Sequence, residues 1–313
     1  MSRFHFPLVS IGVPVFNGDS KIEKAINSIL NQTYTNIEVL VSDNASTDDT
    51  REVCEPLCAR DTRIHYLRQP VNLGPAANFQ ALLDLAQGDF FMWLGHDDWL
   101  SEGFVEACAE TLIENSDVSL VCGQALYYQE GVEVFRGDVV QLPQESPQER
   151  VTAFYGVVWD NGTFYGLMRR EQLLKVKMNN VIGSDWLMIA SMAFLGKVVT
   201  LPAVSVHRER GGISRSYENI ADLLGLPKFH AVFPHVAIAY FAFKDIVWSD
   251  PLYSLGVFRR VHLGWKCQRS IRLRHGASLW GVLRKILSLC KQYGKSVIGR
   301  DNQELKNPGG RRT

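Results

Sequence analysis

Four short apolar runs alternate with segments of helical period over the first hundred residues, and that alternation restricts the chain to few architectures. Residues 8–15, 37–41, 64–67 and 90–94 read as strands. Between them, 21–32 carries Ile22, Ala25, Ile26 and Ile29 at helical spacing, the next segment carries Val53, Leu57 and Cys58, and a turn at 72–78 feeds a helix to Ala86. Repeated strand–helix–strand units predict a parallel sheet with helices on both faces. The run Phe-Phe-Met-Trp-Leu at 90–94 fits a strand buried on both faces. Polar loops follow three of these strands, with Asn17, Asp43 and Asp97 in them. All three loops then fall at one edge of the sheet, outside the carboxyl ends of the strands, where open α/β sheets bind ligands.

Further along, 118–128 reads as a strand, 131–147 as a hairpin and linker, 151–158 as a helix and 163–168 as a strand closed by Arg169 and Arg170. A helix is expected from Ser184 to Gly196, two strands at 198–201 and 204–207, and a charged, glycine-containing flap at 208–214. The expected organisation is one α/β domain over 1–225, in two halves at about 1–100 and about 101–225. A helical, basic C-terminal region over 226–300 and a disordered tail at 301–313 follow.

Charge sets that last region apart. Residues 1–250 hold 19 Lys and Arg against 31 Asp and Glu, whereas 251–300 hold 11 basic residues and no acid. Residues 278–292 place Leu279, Leu283, Ile286, Leu287 and Cys290 on one helical face opposite Arg284, Lys285 and Lys291. Two readings stand: a basic amphipathic helix on an anionic membrane surface, or a helix packed on the core with solvated charges. No nucleic-acid recognition motif accompanies the charge, so nucleic acid is not expected as a partner. The six scattered cysteines form no Cys-x-x-Cys pair and read as free thiols in a reducing compartment. With no leader-like N-terminus and no apolar run of about 18 residues, a cytoplasmic protein is expected, peripheral on the inner face of the cell membrane.

The glycine turn of dinucleotide-binding sheets is missing after the first strand, as is the Gly-Lys phosphate loop. What remains is a carboxylate site. Asp43 suits hydrogen bonds from a base or ribose, or an Asx-type turn. Asp97 and Asp98 suit a hard cation bridging phosphates. Alternatively, Asp98 or Ser101 caps a helix over 102–115.

In order, Val-Ser-Ile-Gly-Val-Pro-Val-Phe-Asn at 9–17, Ser-Ile-Leu-Asn-Gln-Thr-Tyr at 28–34 and Ile-Glu-Val-Leu-Val-Ser-Asp-Asn-Ala-Ser-Thr-Asp at 37–48 resemble the family 2 glycosyltransferases of GT-A fold. Asn72-Leu73-Gly74 with Asn78, Gly88-Asp89 and His96-Asp97-Asp98-Trp99 continue the series. The resemblance covers about 8–215. It implies inverting transfer of a sugar from a nucleotide diphosphate donor to a glycan or lipid-linked acceptor, in the synthesis of cell-surface polysaccharide or lipopolysaccharide. By that resemblance Pro14, Val15, Phe16, Asn17, Asp43, Asn72, Asn78, His96, Asp98, Arg208 and Arg210 border the donor. Asp97 would bind Mn2+ or Mg2+, and Asp185 would be the general base. Two positions depart from the commonest pattern: Gly95 stands for a carboxylate, and Ser184 for a Glu. They motivate a second expectation, a catalytically weak or inactive member that binds nucleotide or glycan as an assembly partner.

Overall fold

The structure, a computed structural model, describes residues 6–210, 216–248 and 252–276. Its centre is one nine-stranded sheet in the order β3-β2-β1-β4-β8-β6-β9-β5, with β7 paired to β6. The first half is the alternation read from the sequence. It runs β1 (Val9–Val15), α1 (Ile22–Leu30), β2 (Ile37–Asp43), α2 (Thr50–Arg60), β3 (Ile64–Arg68), α3 (Pro75–Leu85) and β4 (Phe90–Trp93), all four strands parallel. Every residue of β1, β2 and β4 is buried, as expected for strands covered on both faces.

The second half is mixed. It comprises β5 (Trp99–Leu100), α4 (Phe104–Glu114), β6 (Val118–Gln129), β7 (Val132–Arg136), α5 (Pro147–Val157), β8 (Leu167–Arg169), α6 (Arg170–Leu173), α7 (Ser184–Leu195) and β9 (Lys197–Glu209). Strand β8 is antiparallel to both β4 and β6, while β9 runs parallel to β6 and antiparallel to β5. The hairpin expected in 131–147 is β6–β7. The strand expected at 163–168 is instead a 3-10 turn, Gly162–Tyr165, and only Leu167–Arg169 is extended. The turn packs Phe164 flat on Trp93, with ring centroids 5.2 Å apart, so tertiary stacking overrides the local β-propensity. The helix after Asp98 begins at Phe104 behind a left-handed Gly103 and has no side-chain cap, so neither Asp98 nor Ser101 serves as its cap.

The two strands expected at 198–201 and 204–207 are one strand, β9, with an irregularity. Gly123 pairs with Leu201 but Gln124 pairs with Ser205, so Pro202, Ala203 and Val204 bulge out of the ladder. Pro202 lacks the N–H a regular ladder needs, which accounts for the bulge. A Cβ on Gly123 would lie 2.5 Å from the Val204 carbonyl oxygen, so only glycine fits opposite the bulge. The shift also sets the register beyond it, placing Arg208 opposite Tyr127. Arg208 is therefore a strand residue and not part of a flap; residues 211–215 lie outside the described residues.

Four helices follow among the described residues, α8 (Tyr217–Leu223), α9 (Lys228–Val232), α10 (Pro234–Trp248) and α11 (Val257–Arg274). Helices α10 and α11 pack together, and α11 lies on α5, which in turn packs on α7. Among the described residues no helix is long and apolar enough to cross a membrane. Cys54, Cys58, Cys108, Cys122 and Cys267 are free thiols. The amphipathic segment at 278–292 and the tail at 301–313 lie outside the described residues.

Gly123→Ala should force the Val204 carbonyl away and loosen the bulge. A loss of about 1–3 kcal/mol is expected, read as a lower urea midpoint with unchanged slope.

Candidate active site

Register brings the three loops together. Val15 pairs with Asp43, and β1 pairs with β4 on its other side, so the ends of all three strands lie side by side. The β1 loop is then tied to the β2 loop. Asn17 sits in the left-handed region (φ 55°), which Asn tolerates. Its N–H donates to Ser46 Oγ (2.9 Å) and its Oδ1 accepts from Thr47 N–H (2.8 Å). Gly18 N–H donates to Thr50 Oγ1 at 2.9 Å. Gly18 also lies against the His96 ring, which a Cβ there would meet at 2.6 Å, so the β4 loop closes on the β1 loop at this point. Pro14 and Val15 are buried in β1, whereas Phe16 is exposed at the mouth.

Asp43 is fully buried. Its Oδ1 accepts from Ser46 N–H (2.8 Å), the expected Asx-type bond, and its Oδ2 accepts from Tyr66 OH (2.6 Å) and Arg68 Nη1 (2.8 Å). The carboxylate is thus held by its own fold. Asn78 is also buried, with both ends of its amide bonded to Ser42, so it fastens α3 beneath the β2 loop. Asn72 Oδ1 accepts from Asn44 Nδ2 (3.0 Å) and Gly74 N–H (2.9 Å), joining the loop after β3 to the same edge.

The β4 loop separates two adjacent carboxylates. Asp98 is 2% exposed. Its Oδ2 accepts from Arg208 Nε at 3.0 Å and its Oδ1 from Glu209 N–H at 3.3 Å. Burial pushes its carboxyl up, and the neighbouring charge of Asp97 adds to the rise against the pull of Arg208. Asp97 is half-buried and accepts no hydrogen bond from the described residues. Gly95 explains itself here: a Cβ would lie 2.8 Å from Asp98 Oδ2 and 3.2 Å from Asp97 Oδ1. A side chain at 95 would therefore press on the ends of both carboxylates. No group of three or more His, Cys, Asp or Glu side chains able to hold a metal occurs among the described residues.

Arg208 connects this side of the site to the other. Its Nη1 donates to Asn161 Oδ1 (2.5 Å) and its Nη2 to Tyr165 OH (3.0 Å), while its guanidinium lies 4.2 Å from the Tyr165 ring centroid. Burial raises the Tyr165 phenol, which therefore stays protonated as a donor and acceptor. Asn161 reaches Asp185, at the first turn of α7. Asp185 Oδ1 accepts from Trp186 N–H at 2.9 Å, one of the free N–H groups of the first turn, while the cap position is a left-handed Gly183. Burial raises the Asp185 carboxyl above its ordinary value, opposed by Trp186 N–H, Asn161 and Arg208. Arg210 is exposed, and its N–H donates to Tyr128 O at 2.7 Å.

Asn161 was not singled out by sequence reading, nor was Tyr127, whose OH donates to Asp160 Oδ1 at 2.9 Å. A Trp-Asp-Asn-Gly turn in the thinnest part of the resemblance was the available signal. Beside Asp185 stands an aromatic wall: Trp186 faces His275 (5.1 Å), His275 stacks on Trp159 (5.3 Å) and on His235 (4.3 Å), and His235 meets Tyr217 edge-on (5.9 Å). Burial, then the neighbouring His235, lowers His275 to about 4, so the ring is neutral and able to stack near pH 7.

A family model described as glycosyl transferase family 2 matches residues 10–177, more than half of the chain. The chain belongs to that family. The match runs through β1 to α6 and takes in the three loops, the Asp97–Asp98 pair and Asn161. Among its relatives is GalNAc(5)-diNAcBac-PP-undecaprenol beta-1,3-glucosyltransferase of Campylobacter jejuni, 39% identical over 177 residues, covering 55% of this chain and 55% of that protein. Chondroitin synthase of Pasteurella multocida is 34% identical over 122 residues, 39% of this chain and 12% of the other. The chain thus spans about half the length, or less, of these relatives. The crystal structure of S. aureus TarS 1-349 in complex with UDP-GlcNAc superposes with a TM-score of 0.60 at 17% identity, covering 84% of this chain and 72% of that one. At that identity the likeness is one of fold, and it identifies the sheet as GT-A type.

Arg208→Met should leave Asp98 buried with its cationic partner gone, costing about 3–5 kcal/mol of stability. A thermal melt should show the drop, and adding Asp98→Asn to the same chain should recover part of it.

Proposed function

We propose that this protein is an inverting glycosyltransferase. It would move a sugar from a nucleotide diphosphate donor to a hydroxyl of a glycan or lipid-linked acceptor, in cell-surface polysaccharide or lipopolysaccharide synthesis. The observation that carries the reading is the pair of contacts that Arg208 makes with Asp98 and Asn161, with Asp185 beside Asn161, so that two carboxylates stand on either side of one largely buried cation. The names of the relatives, a glucosyltransferase acting on an undecaprenol-linked glycan and a chondroitin synthase, support the acceptor class. The TarS complex with UDP-GlcNAc supports a nucleotide sugar as donor.

In this reading the donor lies over the β1, β2 and β4 loops, bordered by Pro14, Phe16, Asn17 and His96, with Asp43 holding the β2 loop from beneath. Asp97 is the carboxylate available for a divalent cation, Mg2+ or Mn2+. Such an ion is commonly held by one or two carboxylates together with substrate phosphates, so the small donor set fits. When bound, it would neutralise charge building on the departing diphosphate. Arg208 is too fully engaged to clamp phosphate; its role is to hold Asp98 and Asn161 in place. Arg210, exposed at the same strand end, is the cation proposed to reach the diphosphate.

Asp185 takes the proton of the acceptor hydroxyl as its oxygen attacks the anomeric carbon. The bond from that carbon to the diphosphate oxygen breaks on the opposite face, and nucleoside diphosphate leaves with the electron pair. A carboxyl raised by burial is the better base for this step. Trp159 and Tyr217, exposed on the aromatic wall beside Asp185, offer apolar faces to the acceptor. The inactive-partner reading rested on Gly95 and Ser184. Gly95 is accounted for by the room its neighbours occupy, and the relatives that carry a specific name are transferases. The setting proposed is cytoplasmic, with the basic C-terminal region turned to the inner face of the membrane.

Asp185→Asn should retain donor binding in a thermal-shift titration with UDP sugars, yet lose about 10²–10⁴-fold in kcat. Full turnover by the variant would remove Asp185 as base. Since the base acts deprotonated and its pKa is raised, kcat/KM of the parent should fall as pH drops through a value above the ordinary 3.8 of Asp. For the cation, the Mn2+-dependent increment of the same thermal shift should vanish in Asp97→Asn. An increment that survives would place the ion elsewhere.

A further inference from the structure

We propose that the outward stripe of α11, with the groove between α11 and α5, is the surface by which this protein docks onto an anionic lipid bilayer. The proposal rests on the lipid-linked acceptor reading for its purpose and on separate observations for its support.

The exposed positions of α11 recur at the helical period. Phe258, Arg259, His262, Trp265, Lys266 and Arg269 face outward, and Leu263, Gly264, Cys267 and Ile271 face the fold. Phe258 is 92% exposed and Trp265 58%. A solvated helix face is polar throughout, whereas this one alternates large apolar groups with cations, the composition of an interfacial helix. The apolar part continues onto α10. Phe243 meets Trp265 (5.6 Å) and Trp248 (6.0 Å) edge-on, and Trp248 is itself 66% exposed.

Charge selects the occupant. Helix α11 carries Arg259, Arg260, Lys266, Arg269, Arg272 and Arg274 and no acid. Arg259, Lys266 and Arg269 form no ion pair among the described residues. Arg259, His262 and Lys266 also line a groove of about 640 Å³ against Gln148, Glu149 and Thr152 of α5, where Glu149 is the one carboxylate among the described lining residues. Guanidinium and ammonium groups in an open groove suit phosphate headgroups. Phe258 and Trp265 on the same face suit the boundary between headgroups and acyl chains. A second copy of this chain is the poorer occupant, because a two-fold contact would set this cationic stripe against itself.

The test is co-sedimentation of the full chain with phosphatidylcholine vesicles made with and without phosphatidylglycerol, in the absence of donor and acceptor. The parent should bind only the anionic vesicles. Phe258→Ser with Trp265→Ser should weaken binding at least tenfold. Arg259→Gln, Lys266→Gln and Arg269→Gln together should weaken it on the order of a hundredfold, at about 1 kcal/mol per charge, and flatten its salt dependence. Both variants should keep the parent's melting profile and its turnover of a water-soluble acceptor. The proposal is overturned if either variant sediments like the parent or if neutral vesicles bind equally well. It is also overturned if light scattering shows self-association that the Phe258 and Trp265 changes abolish while vesicle binding is absent. Because binding is read without substrate, an inactive protein that still binds would sink the transferase reading alone.

Discussion

The Arg208–Asp98 pair, with Asp98 buried and Arg208 12% exposed, is the interaction on which the site depends. Two charges this deep repay their desolvation only when every donor and acceptor is used. Arg208 meets that condition by bonding Asp98, Asn161 and Tyr165 together and lying over the Tyr165 ring. Those three partners come from the β4 loop, the turn after α5 and the 3-10 turn before β8, so one side chain welds the nucleotide-facing half to the half that holds Asp185. Arg is suited to this in a way Lys is not, because its planar fork satisfies several acceptors at fixed angles.

The pair is delivered by an irregularity and protected by an absence. The bulge at Pro202–Val204 shifts β9 by three residues against β6, and without that shift Arg208 would not stand opposite Tyr127. Gly123 makes room for the bulge, and Gly95 makes room for the two Asp side chains. Both glycines are there because of what their neighbours occupy. Gly95, which in the sequence stands for a carboxylate, lies in the fold against the Asp98 oxygen that meets Arg208.

The C-terminal helices are joined to this machinery from behind. Helix α11 rests on α5, α5 rests on α7, and His275 at the end of α11 lies with its ring centroid 5.1 Å from that of Trp186, next to Asp185. A surface that seats α11 on a bilayer would therefore set the Asp185 side of the site at a fixed height above the lipid. The neutral, buried state of His275 keeps that junction an aromatic stack and not a charge cluster.

By itself the sequence determined the parallel half of the sheet and the edge at which the loops that hold Asp43 and Asp97 meet. Those follow from periodicity and from the rule that a crossover returns each strand in the same direction, which are local properties. The tertiary structure decided the rest. It turned the segment at 163–168 into a 3-10 turn because Phe164 stacks on Trp93, and it merged two short strands into β9. It also took Arg208 out of a loop and buried it. It spent Asn78 and both oxygens of Asp43 on the scaffold, and it brought in Asn161 as the link to Asp185. Each of these depends on contacts between residues dozens of positions apart, whose burial and hydrogen-bond partners no local pattern encodes.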